Sequence, residues 1–303
     1  MPLPSLDGRY RFMRMLGRGA TGVVVQARDE RLARDVAVKL APANAVSARM
    51  LEEARALAQL QRAECVVQVW ETASGQLASS TYTSPVNYIV MELVLGITLR
   101  QWQQPKRELA DLLNVYANVA VGLHRVHAAG IAHGDIKPDN VIVDATSVPT
   151  LVDFGFAASM HESGVGGWRD EVVGTPPYMG PEVQAGEVGR KGDVHAYAVS
   201  LWEAVTGVLP FSATEERDAR AKVGVLPFED QVPRALRKVL KRAMSARSAH
   251  RPSIDEVHAA VLRATRPALS NRVRSLGAWG ALAVVVAGVV GLSIRAVSGD
   301  EGT

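Results

Sequence analysis

Only one of the 303 residues is cysteine, Cys65. No intrachain disulfide can form, so the chain must be held by a packed core, and a reducing compartment suits it. Beside Val66 and Val67, Cys65 itself reads as a small core residue. A bias of charge is lacking too. The 34 basic and 31 acidic residues are interspersed through most of the chain and leave a net charge of +3, too little to argue for nucleic-acid binding. No secretory leader is visible, because Met1-Pro2-Leu3-Pro4 has no basic stretch followed by an apolar run. The last absence is local: from Ser275 to Ile294 there are 20 residues without one charge. As a helix rising about 1.5 Å per residue they would span about 30 Å, the thickness of a bilayer core. Trp279 sits where an interfacial aromatic belongs. A transmembrane helix over 275–295 is therefore expected rather than a buried helix of a soluble domain.

What is present suffices for one domain with a short appendage. Hydrophobic residues make up 48% of the chain, enough for a sizeable core. Residues 9–41 read as three strands. Tyr10-Arg11-Phe12-Met13 and Asp35-Val36-Ala37-Val38-Lys39-Leu40 alternate, and Val23-Val24-Val25 is β-branched. Ser47 to Arg62 reads as a helix, with Ser47 as N-cap and Met50, Leu51, Ala54, Leu57, Ala58 and Leu60 at helical spacing. Val66–Val69 and Tyr88–Leu93 read as strands, and the Ser-, Thr- and Gly-rich stretch from Thr72 to Asn87 as a long polar loop between them. Leu109 to Ala128 is periodic throughout and closes on Ala129-Gly130, a good C-terminal cap. Two short strands follow, Val141–Val143 and Thr150–Val152. Helices are expected at about 193–206, 214–222, 233–245 and 253–264. The predicted architecture is α+β, a small β-rich lobe followed by a larger helical one.

Four stretches carry chemistry. After Leu16, Gly17-Arg18-Gly19-Ala20-Thr21-Gly22 has the G-x-G-x-x-G spacing, and such glycines let the backbone approach phosphates with no Cβ in the way. The same spacing opens strand–helix dinucleotide units, but here β-branched residues follow, which favours a hairpin. Lys39 points inward from a strand and needs an acidic partner; Glu52 and Glu53 on the next helix are within reach. The third stretch is His133-Gly134-Asp135-Ile136-Lys137-Pro138-Asp139-Asn140, followed by Asp153-Phe154-Gly155. Its acids, lysine and amide are the equipment for a nucleoside triphosphate, its magnesium and a hydroxyl nucleophile. The fourth is Gly174-Thr175-Pro176-Pro177-Tyr178-Met179-Gly180-Pro181-Glu182.

In order and spacing these stretches resemble those of protein kinases, and residues 9–264 resemble a bacterial serine/threonine protein kinase of the eukaryotic type. The resemblance implies a bilobal fold, with a small antiparallel-sheet lobe carrying one main helix over 9–92 and a larger helical lobe over 95–264. It implies that ATP is held by Leu16, Gly17, Gly19, Gly22, Val24, Ala37 and Lys39, and that Glu53 rather than Glu52 pairs with Lys39. Met91 and the backbone of Glu92 and Val94 would border the adenine. Asp135 would orient the acceptor hydroxyl and take its proton, and Lys137 would neutralise charge on the transferred phosphoryl group. Asn140 and Asp153 would bind magnesium or manganese. Thr175 would shape the acceptor site, Glu182 would pair with Arg251, and Asp193 would brace the catalytic turn. His133 is expected to be structural and to pack on Phe154. Lys137 implies Ser/Thr rather than Tyr acceptors.

One departure matters. Most kinases of this type carry Arg before the catalytic Asp, where it normally grips a phosphate on the activation segment; here the residue is Gly134. Residues 159–173 offer only Ser159 and Ser163 as acceptors, and Asp170 and Glu171 supply negative charge there. Activity is therefore expected not to depend on phosphorylation of this segment. Gly180 in place of Ala or Ser is a minor change. His-Gly-Asp is also used by small-molecule kinases of the aminoglycoside and choline type, but these lack the Thr175–Glu182 segment and the Glu182–Arg251 pair. A pseudokinase scaffold is the other alternative, opposed by the presence of Lys39, Asp135, Asn140 and Asp153.

Arg263, Arg266, Arg272 and Arg274 precede the apolar run and only Arg295 follows it, with Asp300 and Glu301 close by. The positive-inside rule then puts the 9–264 domain in the cytoplasm, at the inner face of the cell membrane, joined to the span by a basic linker at 265–274. No folded sensor is expected in the tail at 296–303. Small residues four apart (Gly277/Ala281, Ala283/Ala287/Gly291) predict a weak tendency to homodimerise. The expected partners are protein substrates, the membrane and a second copy of the chain, and no nucleic acid.

Overall fold

Six antiparallel strands open the fold: β1 (Ser5–Leu6), β2 (Tyr10–Gly19), β3 (Gly22–Asp29), β4 (Arg34–Pro42), β5 (Val69–Ala78) and β6 (Thr83–Glu92). They close into a barrel ordered β1-β2-β3-β4-β6-β5. The two-residue β1 completes it, because Ser5 pairs with Arg11 on one side and Ala78 on the other. The computed structural model describes residues 4–19, 22–60, 63–79, 83–154, 176–211 and 226–265, without the side chains of residues 45, 46, 48, 49, 52, 53 and 176.

Strand alternation sorts the barrel's residues into two cores. Val36, Val38 and Leu40 of β4 pack with Leu6, Tyr10, Val25, Val86, Tyr88 and Val90 in one cluster. Ala37 and Ala41, on the opposite face, join Ile89 and Met91 of β6 and Met50, Leu51, Ala54 and Leu57 of α1 (Ala45–Ala58) in a second core that continues into the helical lobe. Each fully buried aliphatic side chain contributes about 1.5–3 kcal/mol. A one-residue slip of β4 would exchange the two sets and drive Lys39 into the apolar barrel, so the register is strongly specified.

Two local expectations are corrected. The N-cap of α1 is Asn44, not Ser47: Ser47 N–H donates to Asn44 Oδ1 at 2.9 Å, and Asn44 N–H donates to Ser47 Oγ at 3.2 Å. Ser47 is thus the third helical residue of a reciprocal capping box, and the helix stops at Ala58 with Gln59 as its C-cap. The polar stretch expected as a loop over 72–87 is strand at 72–78 and 83–87. It is most of the β5–β6 hairpin, paired from Val69↔Met91 to Ala78↔Thr83. Ser74 Oγ donates to Asn87 Oδ1 at 2.6 Å, and Asn87 Nδ2 to Ser47 Oγ at 2.8 Å, so its polar side chains satisfy one another and the helix cap. Val66 only bridges to Leu151, and the strand begins at Val69.

The second lobe is built on α3 (Leu109–Ala128), with the expected bounds, capped at Ala129 and followed by Gly130 at φ +80°. A small sheet, β7 (Ile97–Thr98), β8 (Val141–Val143) and β9 (Pro149–Leu151), lies beside it with the short α2 (Leu99–Trp102). Then come α4 (Pro181–Gln184), α5 (Arg190–Thr206), α6 (Arg234–Ala243) and α7 (Ile254–Thr265). α5 is the central post. It is buried from Gly192 to Trp202, and Tyr197 meets Tyr116 of α3 edge-on at 5.6 Å while its hydroxyl donates to the Tyr116 carbonyl at 2.8 Å. Cys65 is half-buried rather than fully buried, with φ +62°, and burial pushes its thiol up to about 11.

The helix expected at 214–222 and the span at 275–295 lie outside the described residues. Among the described residues no helix is long and apolar enough to cross a membrane.

Gly22 is the glycine the hairpin cannot replace. Its φ is +133°, and a Cβ there would sit 2.1 Å from the Leu40 carbonyl oxygen, whereas a Cβ on Gly17 meets nothing within 4 Å. Gly22→Ala is expected to destabilise the protein by about 1–3 kcal/mol in urea unfolding, with Gly17→Ala close to neutral.

Candidate active site

The face of β4 that carries Ala37 and Lys39 looks toward the second lobe. Lys39 is only 2% exposed, and its ammonium lies 2.6 Å from Asp153 Oδ1. A buried ammonium requires such a partner. The Asp153 carboxylate is 42% exposed, so the pair sits at the edge of solvent. Asp153 also holds φ +53°, a left-handed conformation that costs a non-glycine residue about 1–3 kcal/mol and concentrates at functional sites. The expected partner of Lys39, Glu53, lies on α1 with its side chain outside the described residues.

In the ladder Val24 stands opposite Lys39 and Ala37 opposite Met91. These four therefore share one patch of the sheet, next to the β2–β3 hairpin that carries Leu16, Gly17, Gly19 and Gly22. The hairpin settles the glycine motif against a strand–helix dinucleotide unit. β6 ends at Glu92, whose N–H donates to the Gln68 carbonyl at 2.9 Å, and Val94 follows in the connection to β7.

The turn between α3 and β8 brings the second set together. Asp135 Oδ2 accepts from Lys137 Nζ at 2.7 Å and from Asn140 Nδ2 at 2.7 Å, and Asn140 Nδ2 also reaches the Asp135 carbonyl at 2.8 Å. The backbone of this turn hangs on Asp193 from the first turn of α5. Its carboxylate accepts from the N–H of His133 at 2.8 Å and of Gly134 at 2.9 Å, and meets His127 Nε2 at 2.8 Å. Gly134 has φ +80°, so a position where this chain departs from its resemblance is also one whose backbone favours glycine.

His133 is 1% exposed and stacks on Phe154 at 4.3 Å. Nδ1 accepts from the Asp135 N–H at 3.3 Å and Nε2 lies 3.1 Å from the Val152 carbonyl. The neutral ring with its proton on Nε2 serves both contacts. Burial holds its pKa below the ordinary value.

Glu182 and Arg251 form the expected pair. Arg251 has no side-chain exposure; it contacts both Glu182 oxygens, and also donates to the carbonyls of Lys191 at 2.9 Å and Ser245 at 2.8 Å. Gly180 fits this arrangement, since a Cβ there would lie 2.8 Å from Glu182 Oε2 and 3.0 Å from Arg251 Nη1. Thr175 and Gly155 lie outside the described residues. A cluster not anticipated from the sequence joins Arg100, Asp139, Tyr178 and Glu203. Asp139 and Tyr178 stood inside recognised motifs, but nothing in the sequence linked them to Arg100.

The donor set suits a hard divalent cation. With the amide nitrogen of Asn140 committed to Asp135, its Oδ1 remains to face a ligand, as does Asp153 Oδ2 beside the oxygen taken by Lys39. Among the described residues no three His, Cys, Asp or Glu side chains gather as a metal cage. Magnesium bound through one or two protein oxygens and substrate phosphates needs none.

The depressed pKa of His133 sets a pH window. Below the ordinary value of about 6.5 the unfolded chain takes up a proton that the folded chain refuses, so stability falls as pH falls. The melting temperature is expected to drop between about pH 6.5 and 5.5, above the range where carboxylates titrate. His133→Phe, which keeps the ring stack and cannot titrate, should flatten that slope; an unchanged slope would refute the assignment.

The model of the protein kinase domain family matches residues 10–261. The serine/threonine-protein kinase PknB of Mycobacterium tuberculosis is 35% identical over 226 residues, covering 70% of this chain and 35% of that protein. A probable serine/threonine-protein kinase PknB of Bifidobacterium longum is 34% identical over 222 residues, covering 70% of this chain and 32% of its own length. A probable serine/threonine-protein kinase of Streptomyces coelicolor is 35% identical over 215 residues, covering 68% and 31%. The chain thus spans about a third of the length of these relatives. With the antiparallel barrel, the helical lobe and the paired residues between them described above, the chain belongs to the protein kinase domain family.

Proposed function

We propose that this protein is an ATP-dependent serine/threonine protein kinase, transferring the γ-phosphoryl group of Mg-ATP to Ser or Thr hydroxyls of proteins. The observation that carries the reading is a pair of clusters on adjoining segments: Lys39 with Asp153, and Asp135 with Lys137 and Asn140, the Val152 N–H beside Asp153 donating to the Asn140 carbonyl at 3.0 Å. The second cluster orients. Asp135, fixed by two donors, accepts the hydrogen of the incoming hydroxyl and aims its oxygen. Lys137 then lies beside the phosphoryl oxygens as charge builds on them, and Lys39 steadies the α- and β-phosphates under the glycine hairpin. Asn140 Oδ1 and Asp153 would hold magnesium or manganese, which would supply positive charge to the phosphates. Ala37, Met91 and Val24 give the adenine an apolar slot, with the backbone of Glu92 and Val94 at its edge. Thr175 and Tyr178 belong to the segment that receives the protein acceptor, and Glu182 with Arg251 anchors that segment.

Membrane attachment through 275–295, with the kinase domain cytoplasmic and a weak tendency to pair through the span, is supported by the uncharged run and the arginines before it. Gly134, without a side chain to grip a phosphate, supports activity independent of phosphorylation at Ser159 and Ser163.

Incubation with γ-labelled ATP, a serine-containing protein and an aminoglycoside separates the readings. Label on protein is expected, and Asp135→Asn should lower its rate by about 100-fold or more while ATP binding persists. Label on the sugar would support a small-molecule phosphotransferase, and no transfer to either would support a scaffold.

A further inference from the structure

Arg100 lies outside the catalytic set and touches it. Its Nε donates to both oxygens of Asp139, at 3.1 and 2.9 Å. Nη1 reaches Glu203 Oε1 at 3.3 Å, and Nη2 donates to the Tyr178 hydroxyl at 2.6 Å. That hydroxyl donates onward to Glu203 Oε2 at 2.5 Å. One cation from α2 is therefore set between two carboxylates on separate segments. Asp139 belongs to the catalytic turn, between Lys137 and Asn140; Tyr178 belongs to the segment leading to Glu182; Glu203 comes from α5.

The cluster is open to solvent, with side-chain exposures of 37% for Arg100, 45% for Asp139 and 19% for Glu203. Asp135 and Tyr178 line one pocket, so residues flanking a hydroxyl held at Asp135 come close to the cluster that Tyr178 shares with Arg100. Two carboxylates on a rigid floor form a receptor for a guanidinium or ammonium group. Here that receptor already holds a guanidinium from the chain itself, with planar geometry that satisfies both acids and the tyrosine.

We propose that Arg100 is a specificity-determining residue: it fills, from within the chain, the Asp139–Glu203 pair that would otherwise take an arginine or lysine of the protein substrate. The enzyme then does not select basic residues beside the acceptor serine or threonine. The inference rests on the kinase reading above and names the substrate class that this reading leaves open. It also differs from a purely bracing role, which would alter turnover on every substrate by the same factor.

The test uses serine peptides that differ only in carrying arginine or glutamine at one position, scanned through the three residues before the serine. Wild type is expected to show equal kcat/KM on the two members of each pair. Arg100→Gln should favour the arginine peptide by about fivefold at one scanned position, as expected for a partly exposed charge pair. Arg100→Lys should behave as wild type, and Arg100→Gln with Asp139→Asn should lose the gained preference. Wild type already favouring arginine would overturn the proposal, whatever the stability of the variants. So would Arg100→Gln changing both peptides by one factor, or the double variant keeping the preference. Fluorescence anisotropy of the labelled peptides reads the same preference without turnover. Tighter binding of the arginine peptide by Arg100→Gln than by wild type supports the proposal, and equal binding overturns it. Failure of wild type to phosphorylate any peptide would count against the kinase reading, while the anisotropy comparison would still decide the role of Arg100.

Discussion

A buried carboxylate, that of Asp193, fixes where the chemistry happens. The turn from His133 to Asn140 contains main-chain N–H groups that no strand or helix can serve. Leaving one unpaired inside the protein costs about 1–3 kcal/mol. Asp193 takes two of them, from His133 and Gly134, and meets the His127 ring as well. It sits in the first turn of α5, whose next residues are locked among Tyr116, Tyr197 and Trp202 in the core of the helical lobe. The position of the catalytic turn is therefore inherited from the packing of that helix, and the mutual contacts of Asp135, Lys137 and Asn140 only refine it.

The other half of the site is inherited from a sheet. The alternation of β4 sends its valines and Leu40 into the barrel and Lys39 to the opposite face, where burial obliges it to find an acid. It finds Asp153, 114 residues away in sequence, just after β9, the last strand of the second lobe's small sheet. The left-handed backbone of Asp153 is strain that the surrounding packing holds in place, with Phe154 pinned beneath His133. The Lys39–Asp153 ion pair thus joins the sheet to the segment that follows the second lobe's small sheet, beside a core that runs through both lobes.

Much of this was legible in the sequence, and the reasons differ by element. Strands β2 to β4 and helix α3 announce themselves because one face is apolar at the right period. The Asp193 brace and the Glu182–Arg251 pair were reachable only through resemblance, since nothing local marks a partner about 60–70 residues away. The stretch 72–87 was misread because its polar residues pair with one another and with Ser47, so composition imitates a loop while the backbone forms a ladder. Asn44 was passed over as a cap because Ser47 also carries a capping side chain; the box uses both. Arg100 left no trace at all. It is an ordinary polar residue of a one-turn helix, and its three partners come from three other segments.

α5, through Asp193, holds the His133–Asn140 turn in place without touching the segments assigned to the nucleotide. Calorimetric ATP binding and steady-state phosphorylation, measured side by side on Asp193→Asn, test it most directly. Turnover is expected to fall by about 100-fold with the ATP dissociation constant within about twofold of wild type. Turnover equal to wild type, or turnover and ATP affinity lost together, would contradict it.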